Sequence, residues 1–253
     1  MRKNLTSFYI LRRLAELEVS AFDEDEFRRI LGLDPGRAYK VLHRLAARGV
    51  LRRIRQGRYV VVGMGPAEVL GQPLFLATRL VEPSYVSFWS AIHLYGWTEQ
   101  APRVVFVATT RRSGSRRVDS YDVRLVRIAS RRFFGYATAR QGSFEFPAAE
   151  PEKALVDSLY LPDLAGGIGL VSEALREAKD TVDLGRLEAY AAAMGIRSLC
   201  SRLGYLLEGL GVESEALRAG SSRAFVPLDP PGPRRGRFIR GWKVIDNLGA
   251  GGA

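Results

Sequence analysis

Between residues 36 and 62 the chain places Arg37, Lys40, Arg44, Arg48, Arg52, Arg53, Arg55 and Arg58, with no Asp or Glu among them. Residues 1–35 hold six basic and seven acidic side chains. The positive charge is therefore concentrated rather than spread. Clustered guanidiniums repel one another unless an anion neutralises them, and a nucleic-acid backbone does so while releasing condensed counterions. Arginine adds a planar fork that makes two bonds at once to a phosphate or a guanine edge. The chemistry on offer is recognition of a polyanion. The whole chain agrees, with a formal charge of +11 and a pI near 10.1.

The elements that must carry these side chains can be read from spacing. Leu5, Phe8, Leu11, Leu14 and Leu17 recur every three residues and predict an amphipathic helix over 4–18. Asp23 followed by Glu26 resembles a capping box and starts a second helix, which Gly32 closes. Asp34-Pro35 reads as an N-cap followed by an N1 proline. The third helix then runs to about Arg48, with Ala38, Val41, Leu42 and Leu45 inward and Arg37, Lys40 and Arg44 outward. Tyr39 lies beside them on the helix wheel. A hairpin follows, with strands near 50–55 and 58–62 and a tight turn at Gln56-Gly57. Three helices and a hairpin in this order predict a winged helix-turn-helix. Such a unit sets its third helix in the major groove and its wing against the backbone. The expected DNA contacts are Arg37, Tyr39, Lys40, Arg44, Arg53, Arg55, Gln56 and Arg58.

From residue 62 on, VGMGPAEVLGQ is rich in glycine and reads as a linker. A helix is expected over 84–95, a buried strand over 103–110, a loop at RRSGSRR, a half-buried strand over 121–128 and a short strand over 143–146. Helices are expected over 151–160, 167–179, 183–194 and 196–210. GRFIRGWKVIDNL predicts one more strand, and the closing GAGGA predicts disorder. The domains expected are a winged helix at 1–64, a linker at 65–82, a mixed α/β domain at 83–220 and a tail at 221–253. The fold class is α+β.

Other residues that could do chemistry read as structural. Glu152 and Asp157 are five apart on a helix and share no face, so with Lys153 they predict helix-start charge paired to an arginine, some of it buried. Glu177-x-Lys179 resembles a nuclease fragment but falls on a helix. His43 and His93, with the single Cys200, cannot supply a four-ligand zinc site without carboxylates. His43 is expected at a partly exposed position, His93 in the core and Cys200 buried. Phe88, Trp89, Tyr95 and Trp97 read as core. RRSGSRR lacks the glycine-lysine pattern of a phosphate-binding loop, although a second nucleic-acid contact there is open. No catalytic residue, cofactor or metal is assigned.

Several phrases resemble one known family. VSFWSAIHLYGWTEQAPRVVFVATT (86–110), PEKALVDSLYLPD (151–163), SRLGYLLEGLG (201–211) and the closing PLDP…GWKVIDNL occur in the order found in AbiEi-type antitoxins. These are also described as transcriptional regulators of viral defence systems. The similarity covers about residues 5–211. It implies a repressor that binds its own promoter through the winged helix. It also implies an antitoxin that opposes a neighbouring nucleotidyltransferase-type toxin without a stable complex.

The reading is therefore a sequence-specific DNA-binding repressor and antitoxin-regulator rather than an enzyme. Inverted repeats are read in pairs, so a homodimer or paired monomers is expected. The N-terminus is interrupted by charges and suits neither a signal peptide nor a membrane span, so a cytoplasmic protein is expected. The alternatives are a nucleic-acid-processing enzyme with a catalytic C-terminal domain, or a winged helix that binds protein.

Overall fold

The computed structural model describes residues 5–62 and 69–248. The first unit contains α1 (Ser7–Glu16), β1 (Ala21–Asp23), α2 (Glu24–Leu31), α3 (Pro35–Ala47), β2 (Leu51–Arg55) and β3 (Arg58–Val61). Its three strands form one antiparallel sheet in the order β1-β3-β2. The order of three helices and a hairpin is the one the sequence predicts, with β1 added to the edge of the hairpin. The helix starts are those the sequence signals. Asp23 accepts from the Glu26 amide at 2.8 Å and Asp34 from the Arg37 amide at 2.9 Å. Gly32 ends α2 in the left-handed region, at φ 64°. The inner face of α3 is Ala38, Val41, Leu42 and Leu45, as its periodicity requires.

The first helix differs. Ile10 and Leu14 are its buried pair, whereas Phe8 is 75% exposed and Leu17 is also exposed. A strict spacing of three drifts around a helix of 3.6 residues per turn. The stripe at 5, 8, 11, 14 and 17 therefore cannot all face one core.

The second unit is built on a six-stranded mixed sheet in the order β6-β7-β5-β4-β9-β8. Its strands are β4 (Ser84–Val86), β5 (Val104–Thr109), β6 (Gly114–Val118), β7 (Tyr121–Arg127), β8 (Tyr136–Gln141) and β9 (Phe144–Ala149). The pairs β5–β7 and β4–β9 are parallel and the rest antiparallel. One face packs against α5 (Trp89–Leu94), α6 (Pro151–Tyr160), α7 (Ile168–Ala178), α8 (Leu184–Ala193) and α9 (Arg197–Glu208). The other face packs against α4 (Pro73–Thr78) and, with Val60 and Val62, against the hairpin of the first unit. Alternation sends Val105 and Val107 to that second core and Phe106 and Ala108 to the first.

Several expectations need correction. The stretch 65–82 is not a linker where it is described: Phe75, Leu76 and Ala77 of α4 are buried in the core shared with the hairpin. Residues 63–68 lie outside the described residues. The helix expected over 84–95 begins only at Trp89, because Ser84–Val86 pairs with both β5 and β9. RRSGSRR is partly strand, since its second half opens β6. The sequence also hid β8 and α10 (Glu215–Gly220).

The tail 221–253 is not peripheral. It forms a three-stranded sheet from β10 (Val226–Pro227), β11 (Arg237–Ile239) and β12 (Val244–Asp246), and GRFIRGWKVIDNL supplies two of these strands rather than one. Leu228, Trp242 and Val244 are buried in the helical core. The closing GAGGA, expected to be disordered, lies outside the described residues.

Candidate nucleic-acid interface

At 100° per residue, the inward set of α3 leaves Gly36, Lys40, His43 and Ala47 pointing directly away from the core. All four are exposed. Tyr39 flanks them on one side and is 63% exposed. Arg37, Arg44 and Arg48 flank them on the other. Two of these arginines are tied to the start of α1 and the residues before it: Arg44 donates to the Leu5 carbonyl at 2.7 Å and Arg48 to Ser7 Oγ at 3.4 Å. Arg37 Nε sits 3.8 Å from its own helix cap, Asp34. Lys40 makes no ion pair among the described residues. His43, left as a partly exposed position by the sequence, lies 6.3 Å from the Tyr39 ring on the open face.

The hairpin sorts its arginines by strand parity. Leu51, Arg53 and Tyr59 share the face turned toward the helices, and the pairing Arg53↔Tyr59 sets Arg53 beside a buried ring. Burial pushes the Tyr59 hydroxyl above its usual value, Arg53 pulls it back, and Glu24 pushes it up again. α3 packs directly against β2. Arg53 Nε bonds the Arg55 carbonyl at 3.3 Å. Arg55 and Gln56 are exposed at the turn. The turn itself is held down, because Gly57, at φ 72°, offers its carbonyl to the Glu24 amide at 3.2 Å.

Arg58 is the misplaced member of the expected set. Its guanidinium makes two bonds to Glu82, at 2.6 and 2.8 Å, and its side chain is 15% exposed. Those bonds raise the pKa of Arg58 and hold Glu82 below the usual carboxylate range. It therefore pins the hairpin to the second unit rather than facing outward. Arg52 does the same at the other end, reaching Asp119 at 2.7 Å. Sequence alone gave no signal for either pairing, since 24 and 67 residues separate the partners.

Glu152, Lys153 and Asp157 of the second unit are buried, whereas Glu177 is exposed on α7. Lys153 and Asp157 form a fully buried ion pair one turn apart on α6. Asp157 also accepts from Tyr85 at 2.9 Å and Ser87 at 2.8 Å, and Lys153 donates to Tyr85 at 3.1 Å. Burial lowers the Lys153 pKa and raises that of Tyr85. The expected arginine partner belongs to Glu152 instead, whose Oε2 lies 3.9 Å from Arg186 while its Oε1 accepts from the Asp183 amide at 2.9 Å.

Cys200 is buried, and burial raises its thiol pKa. His93, expected in the core, is exposed, with Nδ1 3.3 Å from the Thr98 carbonyl. Phe88 and Trp97 are core, as their spacing suggested. Among the described residues no three His, Cys, Asp or Glu side chains converge to hold a metal. No described helix is long and apolar enough to cross a membrane.

No family model matches the chain, and no curated protein matches its sequence. A solved structure does resemble it: the crystal structure of the RV2827C protein from Mycobacterium tuberculosis, at 17% identity and a TM-score of 0.60. The match covers 96% of this chain and 91% of that one. The likeness is one of fold, and it extends through both units.

Proposed function

We propose that the chain is a sequence-specific DNA-binding repressor that reads its own upstream region. One observation carries this reading: the outward face of α3 is free of acid and presents Lys40 at its centre, with Arg37, Tyr39 and His43 around it and Arg53 and Arg55 alongside. A major groove admits such a helix, and guanidinium and ammonium groups there meet phosphate and guanine edges. The contact set is Arg37, Tyr39, Lys40, His43, Arg53, Arg55 and Gln56. Arg44 contributes only if it leaves the Leu5 carbonyl, and Arg58 stays with Glu82.

The second half of the reading is an antitoxin-regulator role, opposing a nucleotidyltransferase-type toxin without a stable complex. It rests on the resemblance of the four sequence phrases to AbiEi-type antitoxins.

Gel-shift titration with the chain's own upstream region tests the DNA reading. Lys40→Ala combined with Arg37→Ala should weaken binding at least tenfold, since one good base contact contributes about 1–3 kcal/mol. Arg58→Ala should lower the melting temperature more than the affinity. Binding that ignores Lys40 and Arg37 would point to a protein-binding winged helix instead. Coexpression with the product of the adjacent reading frame tests the antitoxin role: growth should be rescued by the whole chain.

A further inference from the structure

The cationic surface does not end at the hairpin. Ten arginines fall between residues 103 and 140, against only Asp119 and Asp122. Asp119 is already neutralised by Arg52. That ion pair also fixes where the hairpin sits, at the turn between β6 and β7. The strand register then says which arginines stand on the hairpin's side of the sheet. Arg116 of β6 is opposite Val123 of β7, and antiparallel partners share a face. Val123 belongs to the core that also contains Val60 and Val62 of the first unit. Arg127 follows Val123 and Leu125 at the period of two and lies on the same face. Arg116 and Arg127 are exposed, and among the described residues neither pairs with a carboxylate. Arg117 is opposite Asp122, on the far side. At about 3.3 Å per residue, Arg116 stands only about 10 Å along the strand from the turn that Arg52 grips.

We propose that Arg116 and Arg127 form a second phosphate-binding surface, so that a duplex held by α3 and the hairpin continues across the β6–β7 edge of the large sheet. The inference rests on the DNA-binding reading and extends it to a footprint longer than a winged helix makes alone. A duplex presents one negative charge per about 1.7 Å of its axis, so backbone contacts need no sequence and only the correct side of the protein.

Fluorescence anisotropy with the full chain and a mixed-sequence duplex of about 30 base pairs, titrated at rising salt, provides the test. The double variant Arg116→Ala/Arg127→Ala should reduce the log–log salt slope by about two units, at about 0.9 per contact. Arg116→Lys/Arg127→Lys should restore most of it. Arg223→Ala/Arg235→Ala removes the same charge from exposed positions near the C-terminal sheet and should leave the slope of the wild type. If the first pair behaves like this control while the wild type binds, the second surface does not exist and the winged-helix reading stands. If the wild type binds no duplex at low salt, the DNA-binding reading falls and this inference falls with it.

Discussion

Lys153 and Asp157 show how a residue's chemistry is settled by its surroundings. A lysine and an aspartate four apart on a helix would be a weak surface pair in water. Here both are fully buried, and Asp157 takes bonds from Tyr85 and Ser87 besides the ammonium group. Removing one member strands a charge without solvent. Asp157→Ala should therefore cost about 3–5 kcal/mol in urea unfolding, whereas the paired replacement Lys153→Met/Asp157→Leu should cost much less. The sequence made the structural character of this charge legible, because Glu152 and Asp157 could not share a face. It could not name the partners, since Tyr85 and Ser87 lie 72 and 70 residues away from Asp157. The same distance blindness made Arg58 an expected DNA contact: nothing nearby in the chain reveals Glu82.

At the level of elements, the phrases that resemble a family prove to be joints between segments. The PEKALVD helix locks to β4 and the residue after it through Tyr85 and Ser87. The RLGYLLE helix locks to the C-terminal sheet: Arg202 Nε bonds the Pro227 carbonyl at 2.9 Å, and Tyr205 donates to Asp246 at 2.7 Å. Glu208 accepts from the Trp242 indole, and Gly204 lies flat against the Trp242 ring with no room for a side chain. Gly204→Ala should thus push Trp242 from its socket and destabilise the protein by about 1–3 kcal/mol, read as a lowered melting temperature without loss of helix signal. Helices with clear periodicity, α2, α3 and α6 to α9, were legible within a residue or two, and Asp23, Asp34 and Asp183 cap three of them. Short edge strands were not. In β6 and β8, polar residues sit where neither face is fully covered, so no alternation marks them. Ser84–Val86 is buried on both faces and reads equally well as the start of a helix.

The largest misreading concerns the whole molecule. Glycine-rich residues after Val62 suggested two domains on a tether, yet Val60 and Val62 sit in one core with Phe75, Val107, Val123 and Phe146. The first unit is consequently incomplete by itself. A fragment ending at Val62 would expose both valines and Ile54, along with Arg52 and Arg58 stripped of their partners. It should melt well below the intact chain and self-associate, as size-exclusion chromatography would show; an equally stable monomeric fragment would contradict this account. Fold class was legible from the succession of elements, but the shared core was not, because a strand buried on both sides looks the same in sequence whichever unit covers it.

The hairpin thus serves as a party wall: α3 leans on one side of it and the six-stranded sheet on the other. The two faces of the hairpin are committed to different cores, Tyr59 to that of α3 and Val60 to that of the large sheet. If α3 reads DNA as proposed, no hinge is needed to tilt it, only a shift of the floor on which the wall stands.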